Sequence, residues 1–181
     1  MAIPVYLFLT DDGGAKITGS VDVYDREGSI EVTGFTHNLR LPTDALTGKI
    51  TGKRNHAPIV FQKEIDSSSP YLMKAVATGQ TLKTAEFKWY RINDAGQEVE
   101  YYNMHLDNIR VVSVTPLMHD TKDQTKEKHN HLEVVELRYD KITGRIATVI
   151  CVSQIAGQSV NYAYSFIFHA VRYLFFFTTR G

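Results

Sequence analysis

The histidines are the best candidates for metal binding or catalysis in this chain, because three imidazoles and two carboxylates fall in one short stretch. His119, His129 and His131 lie close together, with Asp120 and Asp123 beside them. A His-x-His pair on a strand presents both imidazoles on one face, where they could bind zinc. The interleaved lysines and acids of the same stretch are instead typical of a solvated loop. We therefore predict no metal site and no cofactor.

Covalent catalysis has little support in the sequence. No Gly-x-Ser-x-Gly motif occurs, and the three serines 67–69 are explained by the start of a helix. The single cysteine, Cys151, lies in an apolar stretch, where a thiol is more often inert than activated. Gly13 and Gly14 open onto a strand rather than a helix, so they do not form a phosphate-binding loop. We predict that the protein is not an enzyme.

Composition and charge also limit the function. Of 181 residues, 43% are hydrophobic and 22% are charged, which is ordinary for a globular domain. Net charge is zero, and no basic stripe of the kind that binds nucleic acid is present. The N-terminus has no basic region before its apolar residues, so we expect synthesis in the cytoplasm without a cleavable signal peptide.

The elements that position these residues are mainly β. Period-two alternation recurs about every ten residues, which is typical of a two-sheet barrel or sandwich. Turn residues separate the runs and indicate antiparallel hairpins. The predicted strands are Val5–Leu9, Ile17–Tyr24, Ser29–Leu39, Ala57–Lys63, Thr81–Ile92, Glu98–Val114 with a break, and His131–Ile142.

One short helix is predicted at about residues 69–78. Ser69 suits the N-cap, Pro70 the first helical position and Gly79 the left-handed residue after the end. Leu72, Ala75 and Val76 would form an apolar face that must pack on the sheet, since so short a helix is marginal alone.

Two features indicate contacts with other molecules. Residues 41–56 form a stretch with little apolar periodicity that is too long for a passive connection, so we predict a long projecting loop. The predicted strands Val21–Tyr24 and Ile30–Thr36 carry alternate positions that are neither charged nor plainly core, and such edges can pair with another copy.

The helix segment also carries a family resemblance. It resembles the Hcp family, the haemolysin-coregulated tube protein of bacterial type VI secretion, and further blocks match in the same order on both sides. The matching blocks are residues 1–7 (MAIPVYL), 25–32 (DREGSIEV), 63–72 (KEIDSSSPYL), 85–90 (AEFKWY), 93–101 (NDAGQEVEY) and 127–133 (EKHNHLE).

The resemblance implies a structural subunit of the secretion tube. Six copies would form a ring, and rings would stack around a channel that carries effector proteins. The tube would be capped by a spike protein, surrounded by a contractile sheath, and secreted on firing. Thr36 would line the channel and touch cargo. The ring-stacking loop would comprise Leu41, Pro42, Thr43, Asp44, Gly48, Lys49, Gly52 and Arg54.

The resemblance covers residues 1–143 and then stops, so we expect an Hcp-like β domain over 1–143 and an atypical apolar tail over 144–181. This tail holds three of the 20 basic residues and none of the 20 acidic ones. Its long uncharged run has the length of a membrane span, although polar residues dilute it. The alternative function is therefore an Hcp variant whose tail gives membrane association or a fused effector activity.

Overall fold

The computed structural model describes residues 3–126, 130–146 and 149–154, the last segment as backbone. Within these residues the chain forms ten strands, one α-helix and a short 3-10 helix at Gln124–Lys126. The elements are β1 (Val5–Thr10), β2 (Lys16–Ile17), β3 (Ile30–Thr36), β4 (Leu39–Arg40), β5 (Asn55–His56), β6 (Ile59–Glu64), α1 (Ser69–Thr78), β7 (Thr81–Ile92), β8 (Glu98–Leu117), β9 (Leu132–Ile146) and β10 (Val149–Gln154).

Six of these strands close into an antiparallel barrel. The order is β9-β6-β3-β1-β7-β8, and β8 pairs back with β9 to complete the circle. β2 pairs with the C-terminal end of β1, and β10 pairs with the C-terminal part of β9; both pairings are antiparallel. β4 and β5 form a separate two-stranded sheet. The prediction of a mainly β fold with one short helix and a projecting segment is confirmed.

The barrel interior is filled by aliphatic and aromatic side chains from all six strands. Phe61 and Phe87 are fully buried and pack edge to face, and Phe35 and Trp89 extend the same aromatic cluster. Trp89 therefore packs against the core. Burying each such side chain contributes about 1.5–3 kcal/mol, so the interior is the main source of stability.

The helix begins and ends where its sequence predicts, but its first turn differs from the prediction. The N-cap is Ser68 rather than Ser69, and Ser69 is already helical. The Ser69 hydroxyl is unavailable for capping, because it donates to Glu133 Oε1 at 2.8 Å and accepts from the backbone N–H of Asp66. Gly79 has the expected left-handed φ of 68°.

The apolar face of the helix is narrower than predicted. Leu72 and Ala75 are buried against the barrel, where the helix contacts β8. Val76 lies at the margin of this contact and is 37% exposed.

The predicted strand Ile17–Tyr24 is wrong beyond Ile17. The backbone turns back on itself, because the Gly19 N–H donates to Gly28 O and the Gly28 N–H donates to Val21 O. A side chain at Gly19 would collide with the backbone of Ser29, so this close approach requires glycine. Alternating side chains predict a strand only where a neighbouring strand is available to pair with it.

The last two barrel strands are longer than predicted. β8 continues without a gap through Leu117, with an irregularity in register between Val111 and Ser113 in place of the expected break. β9 passes beyond Ile142 and ends at Ile146. The apolar tail beyond Gln154, which carries the membrane alternative, lies outside the described residues.

Candidate assembly surfaces

The predicted loop 41–56 is a β-hairpin. β4 and β5 pair Leu39 with His56 and Arg40 with Asn55, so the last two residues of the predicted loop belong to a strand. Further along, Thr43 bridges to Ile50. Cross-strand hydrogen bonds therefore hold most of the segment in a defined shape, which a floppy surface loop would lack.

The tip of the hairpin, residues 44–49, is held by Asp44. Its carboxylate accepts hydrogen bonds from the Thr47 hydroxyl and from the backbone N–H groups of Thr47 and Leu46. These bonds to the charged form lower the pKa of Asp44 below its ordinary value. Gly48 closes the turn with a φ of 67°. The tip is thus a preformed turn.

Apolar side chains on the hairpin face solvent. Leu46 is 97% exposed at the tip, and Ile50 is 67% exposed on the returning arm before β5. Leu39 and Leu41 are also exposed near the base. Exposed apolar residues gathered on one projecting element are typical of a surface that contacts another protein.

The sequence-predicted loop residues fall in two places. Within the hairpin, Pro42 O accepts from Thr51 N–H, Asp44 N–H donates to Lys49 O, and Gly52 lies against the Pro42 ring. Arg54 instead lines a cavity at the base, where the hairpin meets the barrel.

A half-buried polar cluster, the His-Tyr-His cluster of His37, His56 and Tyr139, fastens the hairpin base to the barrel. The Tyr139 hydroxyl lies 2.8 Å from His37 Nε2 and 2.9 Å from His56 Nδ1. A phenol has one proton to donate, so it donates to one ring and accepts from the other. No pattern in the sequence indicates this cluster, because its residues have no regular spacing and lie on different strands and connections.

Burial sets the charge state of the His-Tyr-His cluster. Desolvation lowers the pKa of His37 below its ordinary value. The pKa of His56 is lowered by desolvation first, then by the positive charge of Arg54, and then by the charge that His37 carries when it is protonated. Burial raises the pKa of Tyr139 to about 12. All three groups are therefore neutral at pH 7, and the cluster binds the hairpin through hydrogen bonds without a charge.

Thr36, the predicted channel residue, is the last residue of β3. It is exposed and pairs with Val60 of β6. β4 begins three residues later, so Thr36 lies beside the hairpin base at the rim of the barrel. The structure thus brings Thr36 and the loop residues to one region of the molecule.

The histidine-rich stretch gives no metal centre among the described residues. No group of three or more metal-ligating side chains is found there, and His129 falls in the gap between the described segments. The two nearby carboxylates stabilise their own turns, since Asp120 accepts from Lys122 N–H and Asp123 from Thr125. No helix of the described part is long and apolar enough to cross a membrane.

The structure defines a class of protein with a closed six-stranded barrel, one helix and a hairpin with exposed apolar residues. Comparison with known proteins identifies the class more closely. The family described as "Type VI secretion system effector, Hcp" matches residues 6–145. The chain therefore belongs to the Hcp family of type VI secretion.

Comparisons with individual proteins point to the same family. The chain is 34% identical over 152 residues to the "Major exported protein" of Pseudomonas aeruginosa, covering 79% of this chain and 88% of that protein. The chain is 62% identical in sequence to a doubly substituted Hcp1 protein from the E. coli EAEC 042 pathovar, whose structure is solved. The two structures superpose with a TM-score of 0.77, and the match covers 86% of this chain and 100% of that chain. The secreted protein Hcp3 from Pseudomonas aeruginosa is 26% identical, with a TM-score of 0.65 and coverage of 90% and 98%.

Proposed function

We propose that this protein is a structural subunit of the type VI secretion tube. Six copies associate side by side into a ring, rings stack head to tail, and the hollow centre carries effector proteins. The observation that carries the proposal is the family match over residues 6–145, on a fold similar to the solved Hcp1 structure. The name of the Pseudomonas relative, a major exported protein, supports export of this chain as well.

The hairpin is the ring-stacking element in this proposal. It extends away from the barrel sheet, its tip is preformed by Asp44, and Leu46 presents an apolar side chain almost entirely to solvent. A rigid apolar tip loses little conformational entropy on docking, so it suits a contact that is formed many times along a tube. The other tube partners in this proposal are the spike protein at the tip and the contractile sheath around it.

Replacing the apolar tip tests the stacking role. Leu46→Asp introduces a charge at the proposed ring-to-ring contact, so we expect single rings to persist while stacked assemblies disappear. Native mass spectrometry and negative-stain electron microscopy of the full chain measure both species. Leu46→Met keeps an apolar side chain and should still stack. Equal stacking by Leu46→Asp and wild type would show that the tip does not mediate docking.

Thr36 provides a separate test of the channel. If Thr36 faces the channel, Thr36→Arg places a long cation at each of the six equivalent positions and should reduce co-purification of an effector without dissolving the ring. Ala77→Arg, on the exposed face of the helix, adds the same charge elsewhere and should leave cargo unaffected. Loss of cargo in both variants would contradict the channel position of Thr36.

A monomeric full chain at all concentrations would refute the tube function itself. Size-exclusion chromatography with light scattering gives this result directly, because a hexamer and a monomer of 20.5 kDa differ sixfold in mass.

A further inference from the structure

A cavity of about 310 Å³ lies between the base of the hairpin and the β8–β9 ribbon. Its volume is at the small end of the range for ligand sites in proteins. We call it the arginine cavity, after the three guanidinium groups in its wall. The polar residues that line it are Arg54, His56, Asn108, Arg110, Arg138, Tyr139 and Asp140. Asn108, Arg110, Arg138 and Asp140 are exposed, so the cavity is open to solvent.

β8 has an unusual backbone conformation in the wall of the arginine cavity. Asn108 has a φ of 51°, a left-handed conformation that asparagine tolerates better than most residues. Leu106 and Ile109 are both fully buried although they are three residues apart, so the inward face of the strand changes at Asn108. The side-chain alternation of β8 therefore changes face at this point, beside the hairpin base.

The charge in this wall is unbalanced. Arg110 and Arg138 are directly opposite each other in the β8–β9 register, and like charges in such a pair are destabilising. Among the described side chains, none forms an ion pair with Arg54, Arg110 or Arg138. Asp140 is the one carboxylate in the lining, which leaves two positive charges in excess.

An unused donor or acceptor lies beside these charges. The Nε2 atom of His56 is buried and has no hydrogen-bond partner among the described side chains. Its ring is held by Tyr139, so the position of this nitrogen is fixed. Buried polar atoms normally have a hydrogen-bond partner, and this nitrogen has none although its residue lines the cavity.

We propose that the arginine cavity binds a phosphate group. Guanidinium groups recognise phosphate oxygens through paired N–H donors, and an excess of two positive charges matches a phosphate dianion better than a single carboxylate. The volume exceeds that of inorganic phosphate, so the cavity has room for a small phosphorylated molecule. Arg54 and His56 belong to the hairpin base, so the site adjoins the proposed ring-stacking element.

Calorimetric titration of the full chain tests the site with two probes, inorganic phosphate and glycerol 3-phosphate, at constant ionic strength. We expect saturable binding of both at one site per chain. Arg110→Gln combined with Arg138→Gln should weaken it by at least about tenfold, since each lost charge-assisted contact is worth about that factor. Arg91→Gln removes an exposed arginine far along β7 and should leave the affinity unchanged.

A second measurement on the wild-type chain does not depend on the variants. In NMR spectra, the ring signals of His56 should shift on addition of phosphate and reach a plateau at the calorimetric stoichiometry. Absence of saturable binding at millimolar phosphate, or equal weakening by Arg91→Gln, would overturn the proposal. A plateau in calorimetry without any shift of the His56 signals would place the anion elsewhere and would overturn it as well.

Discussion

Replacing Lys63 should destabilise the fold strongly, because its charge is buried at the centre of a polar network. Its side chain is fully buried, and its ammonium group lies 2.7 Å from Asp66 Oδ1 and 2.8 Å from Glu133 Oε1. It also donates to Ser69 Oγ and to the backbone oxygen of Glu64. One cation thus joins β6, β9 and the start of the helix.

The expected loss of folding stability follows from the contacts that remain after Lys63 is replaced. In Lys63→Met the carboxylate of Glu133, which is 1% exposed, keeps only the Ser69 hydroxyl as a described partner. Leaving one member of a buried ion pair without its partner costs about 3–5 kcal/mol. Total stability of a domain is about 5–15 kcal/mol, so this loss is a large fraction of it.

Urea denaturation at one fixed protomer concentration measures this change, because association would otherwise shift the midpoint. Lys63→Met with Glu133→Gln should cost less than the sum of the two single variants, since the double variant no longer leaves the buried carboxylate of Glu133 without its cation. Asp66 loses its cation in both Lys63→Met variants, so its contribution does not affect this difference. Lys83→Met, at an exposed position, is the matched control and should stay within about 0.5 kcal/mol of wild type. A Lys63→Met variant as stable as that control, or strict additivity in the cycle, would refute the reasoning.

Two further predictions concern the connection before β3 and the hairpin base. Arg26 is buried, with its guanidinium 3.7 Å from the centre of the Tyr90 ring and paired with Glu98. Arg26→Lys should therefore lower the free energy of unfolding by about 1–2 kcal/mol in urea denaturation. Arg91→Lys, at an exposed position, is the control and should leave the free energy of unfolding unchanged. The pKa of both His37 and His56 in the folded protein lies below the ordinary value of about 6.5. Their contribution to the free energy of unfolding should therefore be complete above about pH 6.5 and be lost as the pH falls through the lowered folded pKa. Replacing both histidines by glutamine should flatten this part of the curve of unfolding free energy against pH, and an unchanged slope would contradict the assignment.

Local signals in the sequence were sufficient to predict the helix and most of the barrel strands. Pro70 and Gly79 mark the ends of α1 through backbone conformations that each residue prefers by itself. β7 matches its predicted limits at Thr81 and Ile92, because alternation in a half-buried strand reflects burial on one face.

Predictions failed where a hydrogen bond that the local residue pattern does not reveal decided the outcome. The Ser69 hydroxyl is engaged by Glu133, which is 64 residues away in the chain, and so the cap moved to Ser68. Residues 18–24 alternate like a strand but bond to residues 28 and 29 of their own connection. In both cases the local preference was weak, and a tertiary hydrogen bond outweighed it.

The amino-acid sequence by itself determined the β class, the single helix, the family resemblance and the position of the projecting segment, since each depends on residue type and spacing along the chain. Only the tertiary structure decided that the segment is a hairpin fastened by the His-Tyr-His cluster, and that three arginines from separate strands and connections share one cavity. The closed barrel brings together residues up to 102 positions apart, as in the contact of His37 with Tyr139. Such pairs leave no periodic pattern, because their contact is set by strand register and barrel closure.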